Sequence, residues 1–442
     1  MIINRNTMTI KLSPLPLYWS ALEKNMPDQM VESSMILRNG KLIINDCEIN
    51  IDSQINILAY GKASRLMYTT ARKVIGEQLF GRGLLITHEN PVQIRMDNTK
   101  EMVLRSSHPF ITNLSQIAGK QAKEFVESSK KNDILLVLVS GGGSAMVAMP
   151  IEGLNIKDKI NFITSVMHMS VPEREVNILK KALSSIKGGK LAEATTGKTI
   201  VNCILSDERN HKISAISSGM TVCNKSINPI EIMDKYHLWD VAPSNIKSVL
   251  KEHGEKKNIG CQKNIINHIV GSRDNLSNSI IDMSKTYGFD SVHTLENMHS
   301  CTPEDAVKFL SSEFQKIYNS ANIGKHLVIS TGEIQVKVNK YSGIKGGRNQ
   351  HLVALFMLKF KPIFDFYFAA IATDGMDYLD GVHGAYYESG LRKKIERNRD
   401  FIQSKVEESN SYEVHKKLGT LLEGSKTGTN MSDFFLFSFN KF

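Results

Sequence analysis

At 442 residues the chain is too long for one ordinary hydrophobic core, so two domains are expected. Its 41% hydrophobic and 23% charged content excludes a disordered or fibrous chain, and its +10 net charge, from 55 Lys and Arg against 45 Asp and Glu, is spread without a basic run, which argues for a small anionic substrate and against nucleic acid. The five cysteines, Cys47, Cys203, Cys223, Cys261 and Cys301, are odd in number and form no CxxC pair, which argues against a disulfide framework or a zinc site; apolar runs are strand-length, so neither a membrane span nor secretion is expected and the protein reads as cytoplasmic.

Residues 1–50 read as helical and then irregular, with Pro14 and Pro16 marking an early turn. The first clear unit is INILAY (55–60), a strand, then GKAS (61–64), a turn, then Leu66, Met67, Ala71, Val74 and Ile75 at helical spacing. Lys62 therefore stands at the carboxyl end of a strand, where ligands of open α/β sheets bind. GLLITH (83–88) is a second strand, and SSHPF (106–110) is a loop, with His108 as a proton carrier or a hydrogen-bonded loop residue, before a helix over about 115–126.

Ile134 to Val139 is a short apolar run that reads as a buried parallel strand, and it delivers Ser140, Gly141, Gly142, Gly143 and Ser144. Three glycines at a strand end let backbone N–H groups turn toward one point, which suits an anion, phosphate above all. No Lys-Ser or Lys-Thr pair follows, so this is not a Walker loop, and the spacing is not that of a dinucleotide fingerprint. Val176, Leu179, Leu183 and Ile186 line one helix face that ends in IKGGKLA (186–192), where Lys187 and Lys190 either meet phosphate or favour the helix dipole end. VNCILSDE (201–208) is a strand carrying Asp207 to its end, and SSGMT (217–221) is a polar turn.

Residues 237–262 shift in composition toward Pro, Gly and charge and read as a boundary region. A second α/β half follows, with NIINHIVGS (264–272) as strand and loop, the next strand at GFDSVHTL (288–295), HLVIS (326–330) delivering Thr331, Gly332 and Glu333 at a strand end, and IQVKV (334–338) as a half-exposed strand. In GIKGGRNQHLVALF (343–356), Arg348 opens a helix, where a guanidinium clamps an anion bidentately. FYFAAIATDGMD (366–377) is a buried strand delivering Thr373, Asp374 and Asp377, either oxygen ligands for a metal ion or an Asx-type turn. TGTN (427–430) and Asp433 close the series.

Taken together, GKAS (61–64), HP (108–109), LVSGGGSA (138–145), SSIKGGKLA (184–192), LSD (205–207), TGE (331–333), KGGRNQ (345–350), ATDGMD (372–377) and TGTN (427–430) form an ordered series that resembles the glycerate 2-kinase family, the type II glycerate kinases whose C-terminal part is called MOFRL. The resemblance implies an α/β protein of two domains: a larger Rossmann-like parallel-sheet domain over 1–242, and a C-terminal α/β domain over 243–442 with the MOFRL region at about 325–440. It places the active site in the cleft between them. It further implies transfer of the γ-phosphoryl of ATP to the 2-hydroxyl of D-glycerate with Mg²⁺, in a monomer or homodimer that needs neither membrane nor nucleic acid. Carried over, Lys62 and Arg348 are the catalytic cations. Ser140 to Ser144, Lys187, Gly332, Glu333 and Asp374 are nucleotide- or phosphate-site residues, with the glycerate carboxylate an alternative at the glycine loop. Asp207 and Asp374 are metal candidates, and Asp207, Glu333 and Asp374 candidates for the base.

The chain departs from the family pattern at several points. Ile111 and Thr112 stand where Pro-Asp is usual after HP, Asn210 and His211 replace Gly-Asp after LSD, and Met220 replaces proline in SGP. Thr331 replaces the first glycine of Gly-Gly-Glu, Tyr378 the glycine after Asp377, and Ser425 and Lys426 the glycine and proline before TGTN. These changes leave an alternative expectation: a divergent member that binds nucleotide or a small hydroxy acid without efficient transfer, or a kinase of a related acid such as hydroxypyruvate.

Overall fold

The computed structural model describes residues 12–89, 100–169, 171–206, 212–222, 228–253, 263–296, 298–299, 301–336 and 345–442. The chain divides into two compact units, Pro27–Gly271 and a second that joins the residues up to Met26 to Ser272–Phe442. This division falls elsewhere than the expected 242/243 boundary, for two physical reasons. Helix Ser244–His253 buries Ile246, Val249 and Leu250 in an apolar cluster with Phe162, Val166, Val176 and Leu179 of the first unit, and the strand over 264–272 joins that unit's sheet.

After helix Pro27–Ser34 the first unit forms an antiparallel meander, β1 (Met35–Arg38), β2 (Lys41–Ile44) and β3 (Cys47–Asn50), where only irregular chain was expected. Its turns place Asn39 and Gly40, then Asn45 and Asp46, at positive φ, the geometry of tight hairpins. The larger sheet runs in the order β6 (Glu101–Arg105), β5 (Phe80–Thr87), β4 (Ile55–Tyr60), β7 (Ile134–Val139), β8 (Thr199–Ser206), β9 (Asn264–Ser272), and is parallel from β6 through β8. Every residue of β4 and β7 is buried, as continuous apolar runs covered on both faces require. The chain leaves β4 toward β5 on one side and β7 toward β8 on the other. The carboxyl ends of β4 and β7 therefore form the switch point of the sheet, where open α/β folds leave a crevice.

The second unit contains a mixed sheet in the order β10 (Ser291–Thr294), β12 (Gly324–Glu333), β16 (Asp433–Lys441), β13 (Phe366–Ala372), β14 (Val382–Glu388), β15 (Leu421–Glu423), with β11 (Met298–His299) also on β12. β10 runs parallel to β12, and β16 is antiparallel to both β12 and β13. Its core is aromatic: Phe314 stacks on Phe437 at 4.0 Å and Phe356 lies against Phe368 at 4.3 Å. Helix Arg348–Lys359 is buried on almost every side. Residues 334–336, expected to begin a half-exposed strand, have no regular structure, and 337–340 lie outside the described residues. No helix among the described residues is long and apolar enough to cross a membrane.

Candidate active site

In the parallel-sheet unit the loops after β4 and β7 are locked together at the switch point. The Lys62 N–H donates to Gly141 O at 2.9 Å and the Ala63 N–H to Ser140 Oγ at 3.0 Å, while Ser217 Oγ donates to Ser140 O at 2.8 Å. Ser140 is fully buried and held by these bonds, so its side chain braces the two loops. Gly142 has φ +84°, and a Cβ there would lie 2.9 Å from His108 Cδ2 and 3.1 Å from Lys62 Cγ. The glycine is thus what lets His108, whose peptide bond to Pro109 is cis, and the Lys62 stem close over the loop. Lys62, His108 and the glycine loop, picked separately from sequence, form one constellation.

Lys187 joins the same constellation from below. Its side chain is buried, with Nζ 2.7 Å from Ser144 O and 2.5 Å from Ser144 Oγ, so it supports the glycine loop where the sequence left phosphate contact or helix capping open. Ser144 Oγ also lies 3.0 Å from Ser218 Oγ, which donates to Asn177 Oδ1 at 2.9 Å. Ser218 and Asn177 were not singled out as site residues. The SSG turn was visible, but nothing in its spacing tied it to a glycine loop more than seventy positions away. Asp207 lies outside the described residues.

In the mixed-sheet unit three polar stretches converge because of strand register. Asp433, the first residue of β16, pairs with Gly332 on β12 and with Ala372 on β13, so the ends of TGE and ATDGMD flank it. Arg348 opens its helix and donates to Asp433 through Nε at 2.5 Å and Nη2 at 3.1 Å, with Glu333 Oε1 3.0 Å from Nη2. Its side chain keeps 35% exposure, whereas Asp433 is buried. Burial pushes the Asp433 carboxyl up, against the pull of Arg348 and with Glu333 and Asp377 adding to the rise. Burial alone would lower Arg348, but Asp433 and Glu333 outweigh it and hold the guanidinium above its ordinary value.

Asp377 caps the helix that Arg348 begins. Its Oδ1 accepts from the Asn349 N–H at 3.0 Å and its Oδ2 from the Gln350 N–H at 2.8 Å, with Gln350 Nε2 donating to Oδ2 at 3.0 Å. A Cβ on Gly347 would come within 2.1 Å of Asp377 Cγ, which explains the second glycine of KGGRNQ. Asp374 Oδ1 accepts from the Met376 N–H at 3.0 Å, an Asx turn. The capping alternative therefore accounts for Asp377 fully and for one oxygen of Asp374. Among the described residues no group of three or more His, Cys, Asp or Glu side chains is placed to hold a metal ion. Thr427 Oγ1 donates to Thr373 O at 2.5 Å, which ties the TGTN loop to the same strand end.

The N-terminal helix Leu15–Lys24, which carried no signal of function in the sequence, adds Tyr18 to this unit's site. Tyr18 is buried against Phe434, and its hydroxyl is raised well above its ordinary range by burial and then by Asp433 and Asp374.

Comparison with known proteins adds to this geometry. Residues 15–251 match the family described as Domain of unknown function (DUF4147), and residues 326–433 match the MOFRL family. Similar proteins include glycerate 2-kinase of Pyrococcus horikoshii, 26% identical with 96% of each chain covered, and glycerate 2-kinase of Sulfurisphaera tokodaii, 28% identical over 91% of this chain and 95% of the other. The fold resembles a crystal structure of glycerate kinase from Thermotoga maritima at a TM-score of 0.77 and 21% identity, covering 96% of this chain and 98% of that one. A solved structure of a Pyrococcus horikoshii protein gives 0.76 at 25% identity, covering 97% and 98%.

Proposed function

We propose, from the premise that this chain belongs to the DUF4147 family and is an enzyme of the glycerate 2-kinase class, that it transfers the γ-phosphoryl of ATP to the 2-hydroxyl of D-glycerate, giving 2-phosphoglycerate and ADP. The observation that carries the reading is Arg348: a guanidinium fixed by a buried carboxylate at the start of a buried helix, yet one-third exposed. Phosphoryl transfer is mainly positioning and neutralisation of charge on the moving group, which a preorganised cation supplies. Lys62, presented at the switch point of the parallel sheet, is the second cation of the proposal. Ser144, held by Lys187, serves the anionic groups of nucleotide or acid.

Magnesium enters such reactions on the nucleotide, through one or two carboxylates plus phosphate oxygens and waters. That sparse donor set fits the acids at this chain's strand ends: Asp433 and Asp377 are engaged by Arg348 and by a helix end, and Asp374, just after β13, is the candidate ligand among the described residues, with Asp207 the other. Bound there, the ion would neutralise phosphate charge.

The test is a phosphorus NMR or enzyme-coupled assay with ATP, Mg²⁺ and D-glycerate, run on the wild type, Lys62→Ala and Arg348→Ala. Appearance of 2-phosphoglycerate, with a loss of about 10²- to 10³-fold in each variant, is the expected result. ATP binding without product would instead favour a binding protein.

A further inference from the structure

One cluster in the parallel-sheet unit is more elaborate than holding an anion loop demands. Lys187 Nζ lies 2.5 Å from Ser144 Oγ, Ser144 Oγ 3.0 Å from Ser218 Oγ, and Ser218 Oγ 2.9 Å from Asn177 Oδ1. Lys187 and Ser218 are buried, while Ser144 is only half-buried and so open to a ligand. Ser217 and Ser218 hold φ of +48° and +60°, a conformation that costs a serine energy, and the turn is fixed by Gly188 and Gly189 N–H groups donating to Ser218 O and Gly219 O at 3.0 and 2.8 Å. A nucleophile within hydrogen-bond reach of a base is the arrangement used in covalent catalysis, including its serine–lysine variants.

We propose that Ser144 is a nucleophile activated by Lys187, with Ser218 orienting it, and that the protein hydrolyses small activated carboxylic esters through an acyl-Ser144 intermediate. Lys187 Nζ takes the Ser144 Oγ proton as Oγ bonds to the ester carbonyl carbon. The bond from that carbon to the alcohol oxygen then breaks, and Nζ returns the proton to the departing alcohol. In the second half water gives a proton to Nζ and its oxygen to the acyl carbon, Ser144 Oγ leaves and recovers the proton, and the acid is released. No oxidant or other co-reactant is needed beyond water.

The surroundings suit a neutral amine. Burial holds Lys187 well below its ordinary range, and Lys159 and Lys180 add repulsion. Lys187 Nζ donates to Ser144 O at 2.7 Å and to Ser144 Oγ at 2.5 Å, and at that second distance a neutral amine that turns its lone pair toward Oγ can take the hydroxyl proton as the serine attacks. A lysine that merely anchors the loop would leave Ser144 no more reactive than any other serine, and that difference can be measured. The proposal uses the same glycine loop as the phosphoryl transfer proposed above, but its readout, a covalent label on Ser144, does not depend on the outcome of the kinase assay.

The experiment treats the full-length protein with a fluorophosphonate, maps the labelled residue by mass spectrometry, and follows p-nitrophenyl acetate hydrolysis in the wild type, Ser144→Ala, Lys187→Met and the control Ser165→Ala, an exposed helix serine. Labelling of Ser144, with hydrolysis reduced at least about 10²-fold in Ser144→Ala and Lys187→Met and unchanged in Ser165→Ala, is expected. No label on Ser144, or wild-type hydrolysis in Ser144→Ala, overturns the proposal. Should Lys187→Met lose its melting transition, the mapped label and Ser144→Ala decide alone.

Discussion

Arg348 and Asp433 share a two-point bond, Nε to Oδ2 at 2.5 Å and Nη2 to Oδ1 at 3.1 Å, in which the carboxylate is buried and the guanidinium is not. The strand register of β16 places Asp433, so the orientation of the cation is built into the sheet. A lysine could keep the charge and not the fork. Arg348→Lys is expected to lower kcat by about 10²- to 10³-fold with a smaller change in KM, while melting closer to wild type than Arg348→Ala, since Asp433 keeps a cation. Steady-state kinetics and thermal melts on the three proteins check this; wild-type kcat in Arg348→Lys would show that charge without the fork suffices, and wild-type kcat in Arg348→Ala would place the arginine outside the reacting site.

Asp377 tests whether that loop serves a metal or a helix. Its two oxygens accept from the first N–H groups of the helix that Arg348 opens, and it is buried. Replacing an N-cap acceptor costs about 0.5 to 2 kcal/mol, and burial of the abandoned donors adds about 1 to 3 kcal/mol. Asp377→Ala is therefore expected to lower Tm by several degrees by the same amount with and without Mg²⁺. A deficit that appears only with Mg²⁺ would restore the metal reading for Asp377.

The parts of the site that sequence made legible are those where local chemistry leaves a mark: glycines at Gly142 and Gly347, strand-end polar groups at Lys62 and Asp374, and a cation before an apolar helix at Arg348. The resemblance implied a common purpose for them. What stayed hidden was pairing at long range. Nothing near Asp433 says that it will sit between Gly332 and Ala372 and grip Arg348, and nothing near Tyr18 says that the first helix packs on β16. In the fold, β4 and β7 were plain from continuous apolar runs, whereas the meander β1–β3 was missed although Asn39-Gly40 is a hairpin signal, because its strands have only four residues each. The domain boundary was drawn at a composition shift, while the actual division follows burial of Ile246 and Val249.

Lys159 occupies a core position. It shares the buried face of helix Ile156–His168 with Ile156, Phe162, Ile163 and Val166, and its Nζ has no hydrogen-bond partner among the described residues. Burial lowers it to about 7, with Lys190 and Lys180 adding repulsion. Because its folded value is below its unfolded one, the unfolded chain holds the extra proton between about pH 7 and 10.5, so wild-type stability rises with pH across that window. Lys159→Met removes the group and keeps the stem. It is expected to melt several degrees above wild type at pH 7, with the gap closing toward pH 10. Melting curves across that range check it, and a constant gap would mean that the amine is already compensated.

Tyr378 stands where the family pattern has glycine, and its backbone shows why glycine is usual. Its φ is +66°, the residue is 74% exposed, and its N–H donates to Met376 O at 2.9 Å, closing a tight turn directly after the helix-capping Asp377. A left-handed residue with a Cβ costs roughly 1 to 2 kcal/mol, and an exposed ring recovers little of that by burial. Tyr378→Ala keeps the Cβ and hence the strain, whereas Tyr378→Gly removes it at the cost of a more flexible unfolded chain, about 0.4 to 1 kcal/mol. At an ordinary exposed position alanine is more stable than glycine. Here the order should invert, with Tyr378→Gly melting above Tyr378→Ala and at or above wild type. Urea denaturation of the three proteins measures the difference, and an alanine variant as stable as the glycine one would show that the turn relaxes without strain.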